Sequence, residues 1–283
     1  MNPRRGIRPE SLELPAYFGL TFGISWCCWL PAALFGGGVG ISWVQTLVYA
    51  GIAGPPIAAI ALLNLNGSRA QREDFWDRVW NFGRLRRGWI VAIVLVYPAL
   101  TALGAALDRA LSGHDPDWGA LARLVSDPIY MVAHLVLVLA LGPIPEELGW
   151  RGYALDRMQG RWTALGASLL LGTAWAAWHL PLFFVEGSYQ NGLGFGTLEF
   201  WLYNLTAIAA SVLITCVYNN SDRSILSAIL VHGVLNLTRV AVILPTVAEL
   251  ARTLLLVALA IGVVAVLGAD TLAGGSRRPR PRA

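Results

Sequence analysis

The sequence predicts an all-α, polytopic transmembrane helix bundle with about eight spans. Three observations carry that prediction. Hydrophobic residues make up 56% of the 283 residues and charged residues 13%, against roughly 25% charged in ordinary soluble domains, and the mean hydropathy is +0.57. Apolar runs long enough to cross a bilayer, about 20 residues each, recur along the chain. The basic residues gather in alternate connections between those runs.

Taken in order, residues 1–14 are polar and form an expected cytoplasmic N-terminal segment with no cleavable signal peptide. A single bundle is expected over 15–268, with spans at 15–35, 43–63, 89–107, 129–158, 162–185, 198–217, 224–244 and 247–267. The last carries Glu249 and Arg252 in its first turns, which makes it the least apolar at its start. Between the second and third spans, residues 65–88 interleave charges with Phe75, Trp76, Val79, Trp80 and Phe82. Those five fall roughly along one helical stripe, as expected of a helix lying in the membrane interface. Residues 269–283 form a basic tail ending "GGSRRPRPRA".

All 21 basic residues are arginine. With eight spans and a cytoplasmic N-terminus, 17 of them fall on the inner side, and only Arg109, Arg123, Arg239 and Arg252 fall toward the outside. Basic residues in short loops stay cytoplasmic, so both termini are expected inside and the protein is expected to be a multi-pass plasma-membrane protein. The net charge of +4 then reads as a topology signal and a contact for anionic lipid, not as a nucleic-acid surface. Cys27, Cys28 and Cys216 all sit in apolar runs without CxxC spacing, which excludes a disulfide framework.

The stretch "PIPEELGWRGYAL" stands against this apolar background. A carboxylate inside a bilayer costs several kcal/mol even by the lower estimates, roughly 2.5–3.5, so an intramembrane acid points to function. Glu147 and Arg151 stand four residues apart, where a carboxylate and a guanidinium meet on one helical face. That pairing leaves Glu146 free to act. Pro143 and Pro145 should break the span so that a new helix begins near Glu146, where a helix N-terminus favours carboxylates. The same stretch also reads as the start of an amphipathic cytosolic helix at the membrane surface.

Other polar residues favour the intramembrane reading. His179 lies in the fifth span, and His232 and Asn236 share a face of the seventh. In a hairpin turning near Gly160 and Arg161, Glu146 lies about 15 residues before the turn and His179 about 18 after it, equal in depth to within about one turn. Because that turn and the "NNSDRS" turn are cytoplasmic on this topology, the cluster is expected to open toward the cytosol. Two carboxylates, two imidazoles and an amide form a hydrolytic set. A carboxylate with neutral imidazoles holds a divalent metal or a bare water; the carboxylate then takes a proton as the water attacks a peptide carbonyl. Asn236 or a protonated His232 can donate to the oxyanion. There is no HExxH and no GxSxG.

These residues resemble the CAAX protease and bacteriocin-processing (CPBP, or Abi) family of intramembrane endopeptidases, which includes the type II CAAX prenyl endopeptidases. "EELGWR" resembles its EExxxR motif, "WAAWH" its FxxxH motif and "HGVLN" its HxxxN motif, in order, on separate spans within a core at 129–240. The resemblance implies Glu146 as the water-activating glutamate and His179 as its partner on the water or metal. It implies Glu147 as support, Arg151 as the group fixing the carboxylate pair, and His232 and Asn236 as ligands of the oxyanion or scissile carbonyl. A metal, with zinc the first candidate, would be held by Glu146, His179 and His232. Trp175 departs from the usual Phe and is expected to act in packing alone. The implied partners are a peptide or membrane-anchored protein substrate and the bilayer. The rival readings are a membrane immunity or scaffold protein that binds peptides without cutting them, and a transporter.

Overall fold

The computed structural model describes residues 9–274. The arginines expected at 4, 5 and 8 and in the tail from 277 onward lie outside the described residues. The chain folds as helices α1 (Pro9–Phe35), α2 (Ser42–Ile52), α3 (Gly54–Asn66), α4 (Arg69–Trp80), α5 (Arg87–Ser112), α6 (Gly119–Ser126), α7 (Pro128–Ala140), α8 (Pro143–Gly149), α9 (Leu155–Gln159), α10 (Ala164–Trp178), α11 (Tyr189–Leu193), α12 (Leu198–Asn220), α13 (Ile225–Ala241) and α14 (Thr246–Leu267). Among the described residues six helical stretches are long and apolar enough to cross a membrane, and α2 with α3, bent by 43°, supplies a seventh. Helix α13, with 17 residues, lies where the seventh span is expected, and α14 where the eighth is. The fourth span runs from Pro128 to Gln159, with a π-helical stretch at Trp150–Ala154 joining α8 to α9.

Local chemistry sets the helix starts. Ser68 caps α4 in a capping box with Gln71, Asp127 caps α7, Thr163 caps α10, Thr197 caps α12 and Ser224 caps α13. Each side-chain oxygen takes up a backbone N–H that the first turn leaves unpaired. Helices α10 and α12 pack along each other and are the most enclosed of the spans, so they form the centre around which the others close.

The connections expected on the inner side all meet at one end of the bundle. Glu13 accepts from Arg157 at 2.5 Å, Arg84 donates to Asp222 at 3.1 Å, and the amide N of Ala164 donates to the carbonyl of Asp270 at 3.0 Å. At the other end, Val39 N donates to Glu186 O at 2.9 Å and Asp117 N to Ile243 O at 3.0 Å.

The first end is closed by a buried ionic cluster. Arg78 donates to Asp156 at 3.0 Å and to Tyr218 at 2.6 Å; Tyr218 donates to Asp156 at 2.9 Å; and Arg223 completes the set on Asp156. Burial works against the charge on Arg223, but Tyr218 and Asp156 outweigh it and hold the guanidinium above its ordinary value. The pull of Asp156 on Arg78 also divides the expected stripe of α4. Phe75, Arg78 and Val79 turn inward, whereas Trp76, Trp80 and Phe82 are exposed. Asp156→Ala leaves Arg78 and Arg223 buried with less counter-charge, and thermal unfolding in detergent is expected to show a loss of about 3–5 kcal/mol.

Candidate active site

The stretch that carries the candidate site begins where the fourth span breaks. Helix α7 ends at Ala140; Gly142 adopts φ −153° and ψ −89°, and α8 restarts at Pro143, a position where the missing N–H costs nothing. The restart comes three residues ahead of the expected place near Glu146, because the ring of Pro143 is itself suited to a first turn. The amide of Glu146 therefore donates to Gly142 O at 3.0 Å, and its side chain leaves the first turn of a helix inside the bundle. Beyond it, Gly149 admits α1 and α3: a Cβ there would lie 2.4 Å from Pro55 Cβ and 2.5 Å from Tyr17 Oη.

Glu147 is neutralised from two sides. Arg151 Nη1 lies 2.9 Å from each of its carboxylate oxygens, and both side chains have zero exposure. Arg151 also donates to Ser211 Oγ at 3.1 Å. His232 Nδ1 lies 2.9 Å from Glu147 Oε1 and Asn236 Nδ2 lies 3.1 Å from His232 Nε2. A carboxylate only accepts and an amide NH₂ only donates, so this network assigns His232 as neutral, protonated on Nδ1. One run of contacts thus links Arg151, Glu147, His232 and Asn236.

Glu146 is handled differently. It has no cation partner among the described residues. Its Oε2 accepts from the indole of Trp175 at 2.5 Å. His179 Nδ1 donates to the carbonyl of Trp175 at 2.9 Å, which leaves the lone pair on Nε2 free. The His179 ring is clamped by Trp178 at 4.7 Å and Tyr203 at 5.7 Å, while Trp175 lies 4.9 Å from the ring of His232. Trp175 therefore stands between all three functional groups. Its expected role in packing alone is corrected: a buried indole N–H needs an acceptor, and here the acceptor is Glu146.

All six expected residues are brought together around one cavity of about 500 Å³, with Glu146, His179, His232 and Asn236 in its wall. Convergence is tightest at Gly142, where a Cβ would lie 3.2 Å from Asn236 Nδ2 and 3.7 Å from Glu146 Oε1. Gly142→Ala would push a methyl group between the amide and the carboxylate. Misplacement of about 1 Å costs on the order of 10²-fold in rate, and a loss of that size in kcat is expected in a peptide-cleavage assay.

The direction of opening differs from expectation. The cavity extends to Val39, Ser188, Tyr189, Gln190, Arg239 and Val240, which belong to the end opposite the turns near Gly160 and Asp222. The end expected to be open is filled by Trp150, Tyr153, Leu155 and Met158 and closed by the Asp156 cluster. Equal depth placed the residues correctly, but depth alone does not say which end of a bundle is plugged. His134 of α7 also lines this cavity.

The residues do not fit the three-ligand metal site expected from Glu146, His179 and His232. Both ring nitrogens of His232 are engaged, one by Glu147 and one by Asn236, and zinc sites of the catalytic kind take three protein ligands. Among the described residues no group of three His, Cys, Asp or Glu side chains is arranged to hold a metal ion. No step below is routed through one.

Residues 127–238 match the family model described as Rce1-like, type II CAAX prenyl endopeptidase. The chain is also 28% identical over 225 residues, 79% of its own length and 82% of the relative's, to CAAX prenyl protease 2 of Methanococcus maripaludis.

Proposed function

We propose that this chain, which resembles the Rce1-like type II CAAX prenyl endopeptidases over residues 127–238 and a CAAX prenyl protease over most of its length, is a membrane-embedded endopeptidase that cuts a peptide bond with a water activated by Glu146. The observation that carries this reading is the asymmetry of the two adjacent glutamates: Glu147 is held by Arg151 and His232, while Glu146 lies in the cavity wall beside His179 with an indole N–H on one oxygen.

The chemistry follows from donors and acceptors. Glu146 Oε1 and His179 Nε2 both accept, so a water between them gives one hydrogen to each and turns a lone pair toward the cavity. As its oxygen bonds to the peptide carbonyl carbon, Glu146 takes one proton. Asn236 gives one amide hydrogen to His232 and has a second for the developing oxyanion. Collapse of the tetrahedral intermediate breaks the C–N bond, and Glu146 returns its proton to the leaving amine. Neutral His232 presents no hydrogen on Nε2, so its part is to orient Asn236. It donates to an oxyanion itself only when protonated, with the amide turned over.

The substrate class is a peptide on a membrane-anchored protein. The cavity is mostly apolar, and one wall is α7, none of whose residues is buried and whose Val132 and Val136 are exposed on the bundle's outer surface. A lipid-anchored chain end is matched to such a chamber, and CAAX prenyl protease is the name of the relative. The test is digestion of a library of prenylated and acylated peptides by the purified protein, with products read by mass spectrometry and bound metal assayed in parallel. Cleavage at a fixed bond supports the reading. Peptide binding without cleavage supports the scaffold reading instead. In the same assay, Trp175→Phe keeps the ring and removes the N–H; a hydrogen bond to a charged group contributes about 1.5–3 kcal/mol, so kcat is expected to fall about tenfold or more with KM little changed.

A further inference from the structure

We infer that Arg239 anchors the free C-terminal carboxylate of the peptide, so that the protein selects chain ends over internal segments. The inference rests on the endopeptidase reading and deepens it, because it names what another wall of the same cavity holds. Arg239 follows Asn236 by three residues on α13, about one turn further along the face that carries His232 and Asn236. Among the residues lining the cavity, with the histidines neutral, Glu146 and Arg239 are the two that carry a full charge. Tyr203 touches both parts of the chamber: its ring lies 5.7 Å from the ring of His179 and 5.4 Å from the guanidinium carbon of Arg239. The guanidinium is therefore within about 11 Å of the imidazole, a gap that a few extended residues span at about 3.3–3.6 Å each.

The charges around Arg239 leave room for one more anion. Glu249 gives one carboxylate oxygen to Arg239 at 3.2 Å and the other to Arg252, so two guanidinium groups share one carboxylate and the cluster keeps a net positive charge. A guanidinium has five N–H donors. Arg239 places one of them on Glu249, and its Nε is buried without a hydrogen-bond partner among the described residues. A planar fork of this kind is matched to the two oxygens of a carboxylate. The rings of Tyr189, at 5.7 Å, and Tyr203 hold the guanidinium in position. The same cavity wall offers a second unpaired group: His134 stacks on Tyr130 at 5.3 Å, and its Nε2 is buried without a partner among the described residues. Charge also sets direction. A peptide carboxylate beside Glu146 meets like charge, and beside Arg239 it meets opposite charge, so the chain end goes to Arg239 and a preceding carbonyl comes to Asn236 and the water on Glu146.

The test compares two forms of one lipid-anchored peptide, one ending in a free carboxylate and one in a C-terminal amide. Binding is measured in detergent to Glu146→Gln protein, with and without Arg239→Gln, and cleavage is measured with the natural protein and Arg239→Gln. A hydrogen bond to a charged group is strong enough that the acid is expected to bind, and to be preferred in kcat/KM, by about tenfold or more. Arg239→Gln leaves Glu249 paired with Arg252 and is expected to treat the two forms alike. The ratio of acid to amide within one preparation does not depend on how much of it is folded. Equal treatment of the two forms by the natural protein overturns the inference, and so does an Arg239→Gln protein that still discriminates. Should Arg239→Gln fail to fold, chemical protection reads the site in the natural protein: the acid, and not the amide, is expected to shield Arg239 from phenylglyoxal, with the modified residue located by mass spectrometry. Equal shielding by both peptides overturns the inference, and shielding by phosphatidylglycerol in place of the acid peptide overturns it in favour of a lipid headgroup. Binding and protection require no cleavage, so the anchor can fail while the endopeptidase reading stands, and the reverse.

Discussion

Glu146→Gln is expected to stop peptide hydrolysis while the protein still folds and still binds peptide. The amide has the shape of the carboxylate, and its oxygen still accepts the Trp175 indole that now lies 2.5 Å from Oε2. It cannot take a proton from water. General-base catalysis contributes about 10²- to 10⁴-fold, and kcat is expected to fall by at least that factor with KM nearly unchanged. Stability should hold or rise, because Glu146 is 5% exposed without a cation among the described residues, and burying a charge that lacks a partner is costly. Single-turnover cleavage and thermal unfolding in detergent read both effects on one preparation. A Glu146→Gln protein that cuts at the natural rate would remove Glu146 from the chemistry.

Arg151→Met is expected to have the largest effect on folding. Arg151 and Glu147 both have zero exposure, and the guanidinium reaches both carboxylate oxygens at 2.9 Å. Removing one member of such a pair leaves the other charge buried, a loss of about 3–5 kcal/mol, a large share of the stability of any domain. Among the described residues His232 would then be the donor left on Glu147, and the ring that orients Asn236 would be drawn into compensating it. The double change Glu147→Gln with Arg151→Met removes both charges, and replacing a whole buried pair is often close to neutral. The double variant should therefore unfold at a higher temperature than Arg151→Met alone. Equal or lower stability of the double variant would mean that the pair acts through shape and packing instead.

The sequence carried the identity of the site further than its environment. Spacing alone put Glu147 with Arg151 and His232 with Asn236, because four residues make one turn of a helix whatever surrounds it. Counting residues from a shared turn put His179 at the depth of Glu146. What spacing does not encode is the direction of side chains that contact across the chain. Trp175 resembled a packing residue because its ring is apolar; the acceptor that its N–H finds is 29 positions away. Phe75 and Trp76 resembled one face of a surface helix until Asp156 and Tyr218 drew Arg78 inward. The opening of the cavity was misplaced for the same reason, since the plug of Trp150, Tyr153 and the Asp156 cluster is assembled from segments far apart in the chain. The bend between α2 and α3 had a visible signal in "AGPP", where a proline pair begins the second helix.

The central claim is that Glu146 and His179 act on one and the same water. Rates measured for the natural protein, Glu146→Gln, His179→Ala and the double variant in single-turnover cleavage of one lipid-anchored peptide test it most directly. Groups that act as a unit are strongly non-additive, so the double variant is predicted to be no slower than the slower single variant. A double variant whose loss equals the product of the two single losses would show that the two side chains act on separate events, and the shared water would have to be abandoned.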